Sequence, residues 1–280
     1  MTTAMQTKNS RLFLSLVLVA FVGGLAGPLA KYALHEIPPF GYVLGRLMLG
    51  SVFVYMILIG SGERLHWSQF KLFAPVATLW WLNAILYTYG LKFTTATTAQ
   101  FIHTAIPVIT AVMAFVLLKE KLTPKQWAGS VLALCGVVTI VLSKGSISFH
   151  NQAFIGNVII MTSALVFALY GVLSKSKKYA EISPTQMISI GTLCGTLAAI
   201  VPAALEYHNR PWLMGVHPLS YAAMFLGTMC ISLFYLGFQR LIRAYGPSIA
   251  STNLYLLPIF VAFWAVLLLG EVITMVVLLG

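Results

Sequence analysis

Arg46 is the one fixed charge placed well inside an apolar run, about two turns into a stretch that opens near position 40. A guanidinium at such depth costs on the order of 2.5–3.5 kcal/mol and normally faces a cavity or a partner. Its planar fork could hold the carboxylate of an amino acid or another organic anion. Alternatively it hydrogen-bonds carbonyls of neighbouring helices or snorkels outward. Gln100, His103, Thr104 and Pro107 are spaced to share one helical face, which should look away from lipid. His103 there could exchange protons near neutrality, or serve as an ordinary hydrogen-bonded interior residue. Amides and aromatics gather elsewhere: Trp80, Trp81, Asn83 and Tyr87, then Phe234, Tyr235 and Gln239, then Asn253 and Tyr255. An amide in hydrocarbon needs a partner, so Asn83 and Asn253 either line a pocket or tie helices together. Arg46, Asn83, Tyr87, Gln100, His103, Thr104, Tyr235, Asn253 and Tyr255 thus form the candidate substrate-binding set. It suits a zwitterionic, partly apolar solute such as a neutral or aromatic amino acid.

Other chemistry finds no support. The chain has no Asp and six Glu, none deep in an apolar run, so a carboxylate proton relay or sodium cage is hard to build. No nucleophile–base pair, H-E-x-x-H or pair of buried acids is present, which argues against an enzyme. Cys135, Cys194 and Cys230 lack metal or disulfide spacing and read as small buried apolar residues. No cofactor or metal is expected. Glu120 and Glu271 recur at helix ends, where pairing with a base or capping a helix competes with a role in coupling.

The elements that must position these residues follow from composition: 59% hydrophobic, 8% charged, mean hydropathy +0.91. A soluble domain carries about a quarter charged residues, so this surface must face the lipid bilayer. About 20 residues of helix cross a hydrocarbon core. The apolar runs lie near 12–34, 40–60, 70–91, 94–118, 125–143, 152–174, 184–205, 218–239 and 246–270. A tenth opens at Val272, where nine residues rise only about 14 Å, so it is expected to be clipped. The first run is too long for a secretory signal and reads as an uncleaved anchor. Thr123 to Gln126 and Ser183 to Gln186 are expected capping boxes opening the fifth and seventh helices. The net charge of +11 sits in short loops, a topogenic pattern that needs no nucleic acid. Alternate loops hold most of the Lys and Arg, which places the N-terminus in the cytoplasm.

The halves repeat. Ala99, Pro107, Ala111, Ala114, Leu117, Leu118, Glu120 and Thr123 recur at a fixed offset as Ala250, Pro258, Ala262, Ala265, Leu268, Leu269, Glu271 and Thr274. Gly41 and Gly45 match Gly191 and Gly195 as paired G-x-x-x-G motifs. Five helices per copy make the second copy enter from the opposite side, the inverted arrangement that suits alternating access. The expected fold is therefore all-α, ten transmembrane helices in two inverted repeats, 12–143 and 152–280. Gly23, Gly24 and Pro28, with Gly41, Gly45, Pro107, Gly191, Gly195 and Pro258, are candidate hinge or close-packing positions.

Leu91-Lys-Phe-Thr-Thr-Ala-Thr-Thr-Ala99, Pro107, Leu117-Leu-Lys-Glu-Lys-Leu-Thr-Pro-Lys-Gln-Trp-Ala-Gly129 and Gly136 resemble the EamA repeat of the drug/metabolite transporter superfamily. Tyr245-Gly-Pro through Pro258 to Glu271 carries the matching second pattern. The resemblance implies a central cavity lined by helices 1–4 and 6–9, with helices 5 and 10 peripheral. It also implies a carrier of a bacterial inner membrane exporting small metabolites, with amino acids as the expected class. Relatives also export drugs and sugars, so a multidrug or other metabolite exporter, a channel and a structural subunit stay open. So does the choice between monomer and homodimer.

Overall fold

A backbone in hydrocarbon must close its own hydrogen bonds, and an apolar run can do so only as a helix or within a closed barrel. The computed structural model describes residues 2–119, 128–129, 132, 152–209 and 215–271, and among them there is no strand. The helices are α1 (Thr2–Ala33), α2 (Pro39–Gly60), α3 (Trp67–Phe93), α4 (Ala96–His103), α5 (Ile106–Leu118), α6 (Gln152–Ser174), α7 (Pro184–Asn209), α8 (Pro218–Tyr245), α9 (Pro247–Ser251) and α10 (Leu257–Leu269). Seven stretches are long and apolar enough to cross a membrane, counting Ala96–Leu117 as one, and Asn253–Leu269 is a shorter apolar stretch. The chain is an all-helical, multi-pass membrane protein. The expected tenth helix, all of the expected fifth except 128–129 and 132, Glu120, and the capping box at Thr123 lie outside the described residues.

The capping box at Ser183 is present: Ser183 N–H donates to Gln186 Oε1 at 2.8 Å, and Gln186 N–H donates to Ser183 Oγ at 3.1 Å. The fourth and ninth runs, however, are not the continuous helices that hydropathy suggests. α4 ends at His103 and α5 starts at Ile106; α9 ends at Ser251, a 3-10 turn covers Thr252–Tyr255, and α10 starts at Leu257. Pro107 and Pro258 explain both breaks. Each lacks the N–H that would meet the carbonyl four residues earlier, and each ring crowds that carbonyl. At Thr104 and Ala105 the backbone switches to tighter bonds onto Phe101 and Ile102. By contrast, α1 runs unbroken through Pro28.

Helices from the two ends of the chain interleave. The principal packings are α3 on α6, α1 on α8, α2 on α7 and α1 on α10. Small residues set the closest approaches. A Cβ on Gly24 would lie 2.6 Å from Phe260 Cβ and 3.0 Å from its carbonyl carbon, so α1 and α10 meet backbone to backbone. Gly195 is equally confined, between Trp81 and Leu47, and Gly23, Gly45 and Gly191 press on side chains of facing helices.

The helix ends are pinned by charge. Glu206 Oε2 accepts the N–H of Gly41 at 2.9 Å, and Glu63 accepts the hydroxyl of Ser183. The end of α7 therefore meets the start of α2, the end of α2 meets the start of α7, and the two are antiparallel. Glu36 accepts from His217 N–H and Ser220 Oγ at the start of α8. Lys31 Nζ donates to the carbonyls of Leu91 and Thr94 at 2.9 and 2.7 Å, in the last turn of α3 and at its C-cap. Lys175 Nζ donates in the same manner to Ile242 and Arg243, at the end of α8.

Candidate functional site

Both helix breaks open onto one cavity. Gln100, His103 and Ile106 border it from the first break, Leu254 and Leu257 from the second. α1 contributes Gly23, Ala26, Gly27 and Ala30, where the absence of bulk leaves room; α2 contributes Tyr42 and Arg46, and α3 Asn83, Ala84 and Tyr87. Phe167 of α6 and Gly227, Ile231, Phe234 and Tyr235 of α8 complete the wall. The space not filled by atoms is about 670 Å³, part of it open to the outside. The lining is mostly apolar with a few converging polar groups, the composition of a small-molecule site.

Arg46 is 7% exposed. It lies close enough to Tyr235, Tyr42 and Tyr87 to act electrostatically on all three. Tyrosine hydroxyls leave its charge uncompensated. Four described glutamates are committed at helix ends: Glu36 and Glu206 as above, Glu63 on Ser183, and Glu271 on Ala96 and Thr97. Glu181 is exposed beside the start of α7. Among the described residues, then, no carboxylate pairs with Arg46.

The polar floor of the cavity is tied through Ser163 of α6. His103 Nε2 lies 2.8 Å from Ser163 Oγ, and Asn83 Nδ2 donates to the Ser163 carbonyl at 3.0 Å. Ser163 Oγ gives its own proton to the Ile160 carbonyl, so it accepts from His103 and Nε2 carries the hydrogen. The His103 ring also leans on Tyr87, centroids 4.8 Å apart. Asn83 therefore does both things that its residue type allowed: it lines the cavity and ties α3 to α6. Gln100 is 6% exposed, and its Nε2 has no hydrogen-bond partner among the described residues.

Six residues of the expected set come together here: Arg46, Asn83, Tyr87, Gln100, His103 and Tyr235. Three stand outside the lining. Thr104 turns its hydroxyl back onto the Phe101 carbonyl within the break. Asn253 is fully buried and donates to the Leu16 carbonyl, tying the second break to α1. Tyr255 is 44% exposed on the outer surface. Tyr42 and Phe167 in the wall, and Ser163 behind it, are residues that sequence reasoning missed. A serine can satisfy itself on its own helix and so leaves no signal of a longer-range role. An aromatic in an apolar run does not announce which way it faces.

Known proteins agree with this architecture. A solved protein structure, 16% identical, superposes with a TM-score of 0.66 over 95% of this chain and 93% of its own, a likeness of fold. The chain is similar to the uncharacterized transporter YetK of Bacillus subtilis (strain 168), 25% identical over 241 residues, 83% of this chain and 73% of that protein. It is also similar to the S-adenosylmethionine/S-adenosylhomocysteine transporter of Chlamydia trachomatis (serovar L2), 24% identical over 267 residues, 90% of this chain and 80% of that protein. The model of the EamA-like transporter family matches residues 11–142 and again 154–280. Covering nearly the whole length, that double match means the chain belongs to the EamA-like transporter family, the EamA type of the drug/metabolite transporter superfamily.

Proposed function

We propose that this transporter is a carrier for a small metabolite bearing a carboxylate, bound in the central cavity with its carboxylate on Arg46. The observation that carries the reading is a buried guanidinium lining a mostly apolar cavity, with no acid among the described residues to neutralise it. Tyr42, Tyr87, Phe167, Phe234 and Tyr235 supply aromatic surface for an apolar or planar body. Asn83, Gln100 and His103 add polar side chains to the same lining. Neutral and aromatic amino acids fit that description. The Chlamydia relative favours an extension of it, because S-adenosylmethionine joins an amino-acid end to an aromatic base.

Two inverted repeats of five helices, working by alternating access, are part of this reading. The double match to one family model supports it. So does the exchange of partners: α2 and α7 cap each other through Glu63 and Glu206, and Lys31 and Lys175 repeat the same bond onto Leu91 and Ile242. Discontinuous helices meeting at a shared cavity are a recurring transporter design. Export across a bacterial inner membrane is the part of the reading that rests on the family, and its orientation, N-terminus inside, is supported by charge. Arg64, Lys71, Lys175, Lys177, Lys178, Arg240 and Arg243 gather toward one face, where α2, α6 and α8 end and α3 starts.

Counterflow in liposomes tests the reading, with neutral and aromatic amino acids, S-adenosylmethionine, sugars and cationic drugs as the panel. Saturable exchange of carboxylate-bearing solutes, lost in Arg46→Gln, is the expected result. Exchange of cationic drugs or sugars alone, or exchange indifferent to Arg46→Gln, would overturn it.

A further inference from the structure

A cavity of about 180 Å³, roughly ten times the space that one water needs, lies where α6 and α8 end and α7 starts. Lys175, Lys177 and Arg243 line it, and among the described residues no acid does. Much of the remaining wall is apolar, with Tyr179, Ile182 and Met187 all buried. Two of the charged ends are fixed at that wall. Lys175 Nζ donates to the Ile242 carbonyl at 3.2 Å; Arg243 donates to the Ile182 carbonyl at 3.2 Å and to that of Ala180. All three acceptor residues line the same cavity. The bonds tie the end of α6 to α8, and α8 to the segment that leads into α7, so both cations are held beside the space.

Carbonyls satisfy donors without cancelling charge. Glu181 belongs to the same connection but is absent from the lining, and Glu63 is taken by the Ser183 hydroxyl. An ammonium has three donors and a guanidinium five, so both side chains have donors to spare. Lys177 is exposed beside them. A planar carboxylate suits one guanidinium; three cations on two chain segments suit a tetrahedral oxyanion of higher charge, which a phosphate is. The level in the membrane fits as well. These helix ends belong to the face where basic residues gather, and basic pockets between membrane helices at that level bind lipid headgroups. The apolar part of the wall then suits the glycerol and first chain carbons of a lipid.

We propose that this cavity is a site for one phosphate group, presented by an anionic lipid headgroup or by a free phosphate. It shares no lining residue with the central cavity and does not depend on what the carrier moves.

The purified protein, in uncharged detergent and freed of lipid, is titrated with phosphatidylglycerol, with diacylglycerol of the same chains, and with inorganic phosphate. Native mass spectrometry counts bound lipid, and thermal melting reads the stabilisation by each probe. A phosphate source is expected to raise the melting temperature and diacylglycerol to leave it unchanged. Lys177→Gln keeps both carbonyl braces and should weaken the response about fivefold. Lys71→Gln removes a charge from the same face but outside the cavity, and Arg46→Gln removes the charge of the central cavity; neither should weaken it. Stabilisation by inorganic phosphate alone supports the site and assigns it to a free phosphate. Stabilisation by phosphatidylglycerol only, with bound lipid lost in Lys177→Gln, supports the site and assigns it to a headgroup. Equal effects of diacylglycerol, no response to either phosphate source, or an affinity that Lys177→Gln leaves unchanged would overturn it. So would a loss in Lys71→Gln or in folded Arg46→Gln as large as in Lys177→Gln, the first meaning general attraction to the surface and the second binding at the central cavity.

Discussion

The Glu271 carboxylate accepts the Thr97 hydroxyl at 2.6 Å, and with it the N–H groups of Ala96 and Thr97 at 3.1 and 3.3 Å. An acid just beyond α10 thus closes the first turn of α4, where unpaired donors and the helix dipole favour negative charge. Lys31 feels the same carboxylate while holding the end of α3. Glu271 is fully employed as a cap, which weighs against reserving it for ion coupling. Glu271→Ala should cost about 1.5–3 kcal/mol, the range for hydrogen bonds to a charged group. Urea or thermal unfolding in detergent measures it, and a variant as stable as the parent would refute the cap.

The two carboxylates pinning α2 to α7 act at opposite ends of helices of 22 and 26 residues, roughly 30 Å apart. Sites so distant should not couple. Glu63→Ala and Glu206→Ala are each expected to destabilise, and the double variant to lose the sum within about 0.5 kcal/mol. A clear departure from additivity would mean that α2 and α7 rearrange as a pair when either end is freed.

Gly24 admits no Cβ because the atoms it would meet include the Phe260 backbone, which cannot swing away. Gly24→Ala should therefore destabilise by about 1–3 kcal/mol, the usual cost of overpacking. Gly60, with nothing near its Cβ position, is the control and should tolerate alanine. Parallel melting curves of the two variants decide the matter.

Glu36 is exposed between α1 and α2, and the Ser220 hydroxyl, followed by the His217 N–H, holds its carboxyl below the ordinary value of 4.5. A depressed folded value means that this contribution is present above 4.5 and is lost as pH falls through the lower folded value. The stability difference between the parent and Glu36→Gln should thus shrink on acidification below 4.5. A difference that stays constant from neutral to acid pH would show that the cap works without its charge.

Ser163 supports the cavity from behind. Removing its hydroxyl in Ser163→Ala leaves the His103 N–H buried without its acceptor, at a cost of about 1–3 kcal/mol. The loss should appear both in melting and as a slower maximal rate of counterflow, because His103 is then free to turn in the wall. Unchanged stability and rate would remove Ser163 from the site.

Hydropathy alone determined the class of this protein and the borders of most helices. The sixth run, 152–174, coincides with α6, and α2 and α7 start within a residue of the expected points. That works because a bilayer permits few backbone solutions and each is written in runs of about 20 residues. Arg46, His103, Asn83 and Gln100 stood out for the same reason: a polar group in hydrocarbon is costly wherever it sits. Which of them share a space depended on contacts between helices far apart in the chain, which no local pattern encodes. Gln100 and Tyr235 meet at one cavity only because α4 and α8 close around it, whereas Asn253 and Tyr255, equally polar in sequence, fall behind the wall and onto the surface. Pro107 and Pro258 announced themselves as irregularities, but that both breaks face the same cavity was decided by packing. Tertiary structure alone assigned Glu271 to α4, Glu206 to α2 and Ser163 to His103, since a hydrogen bond across the fold depends on where two helix ends finally lie.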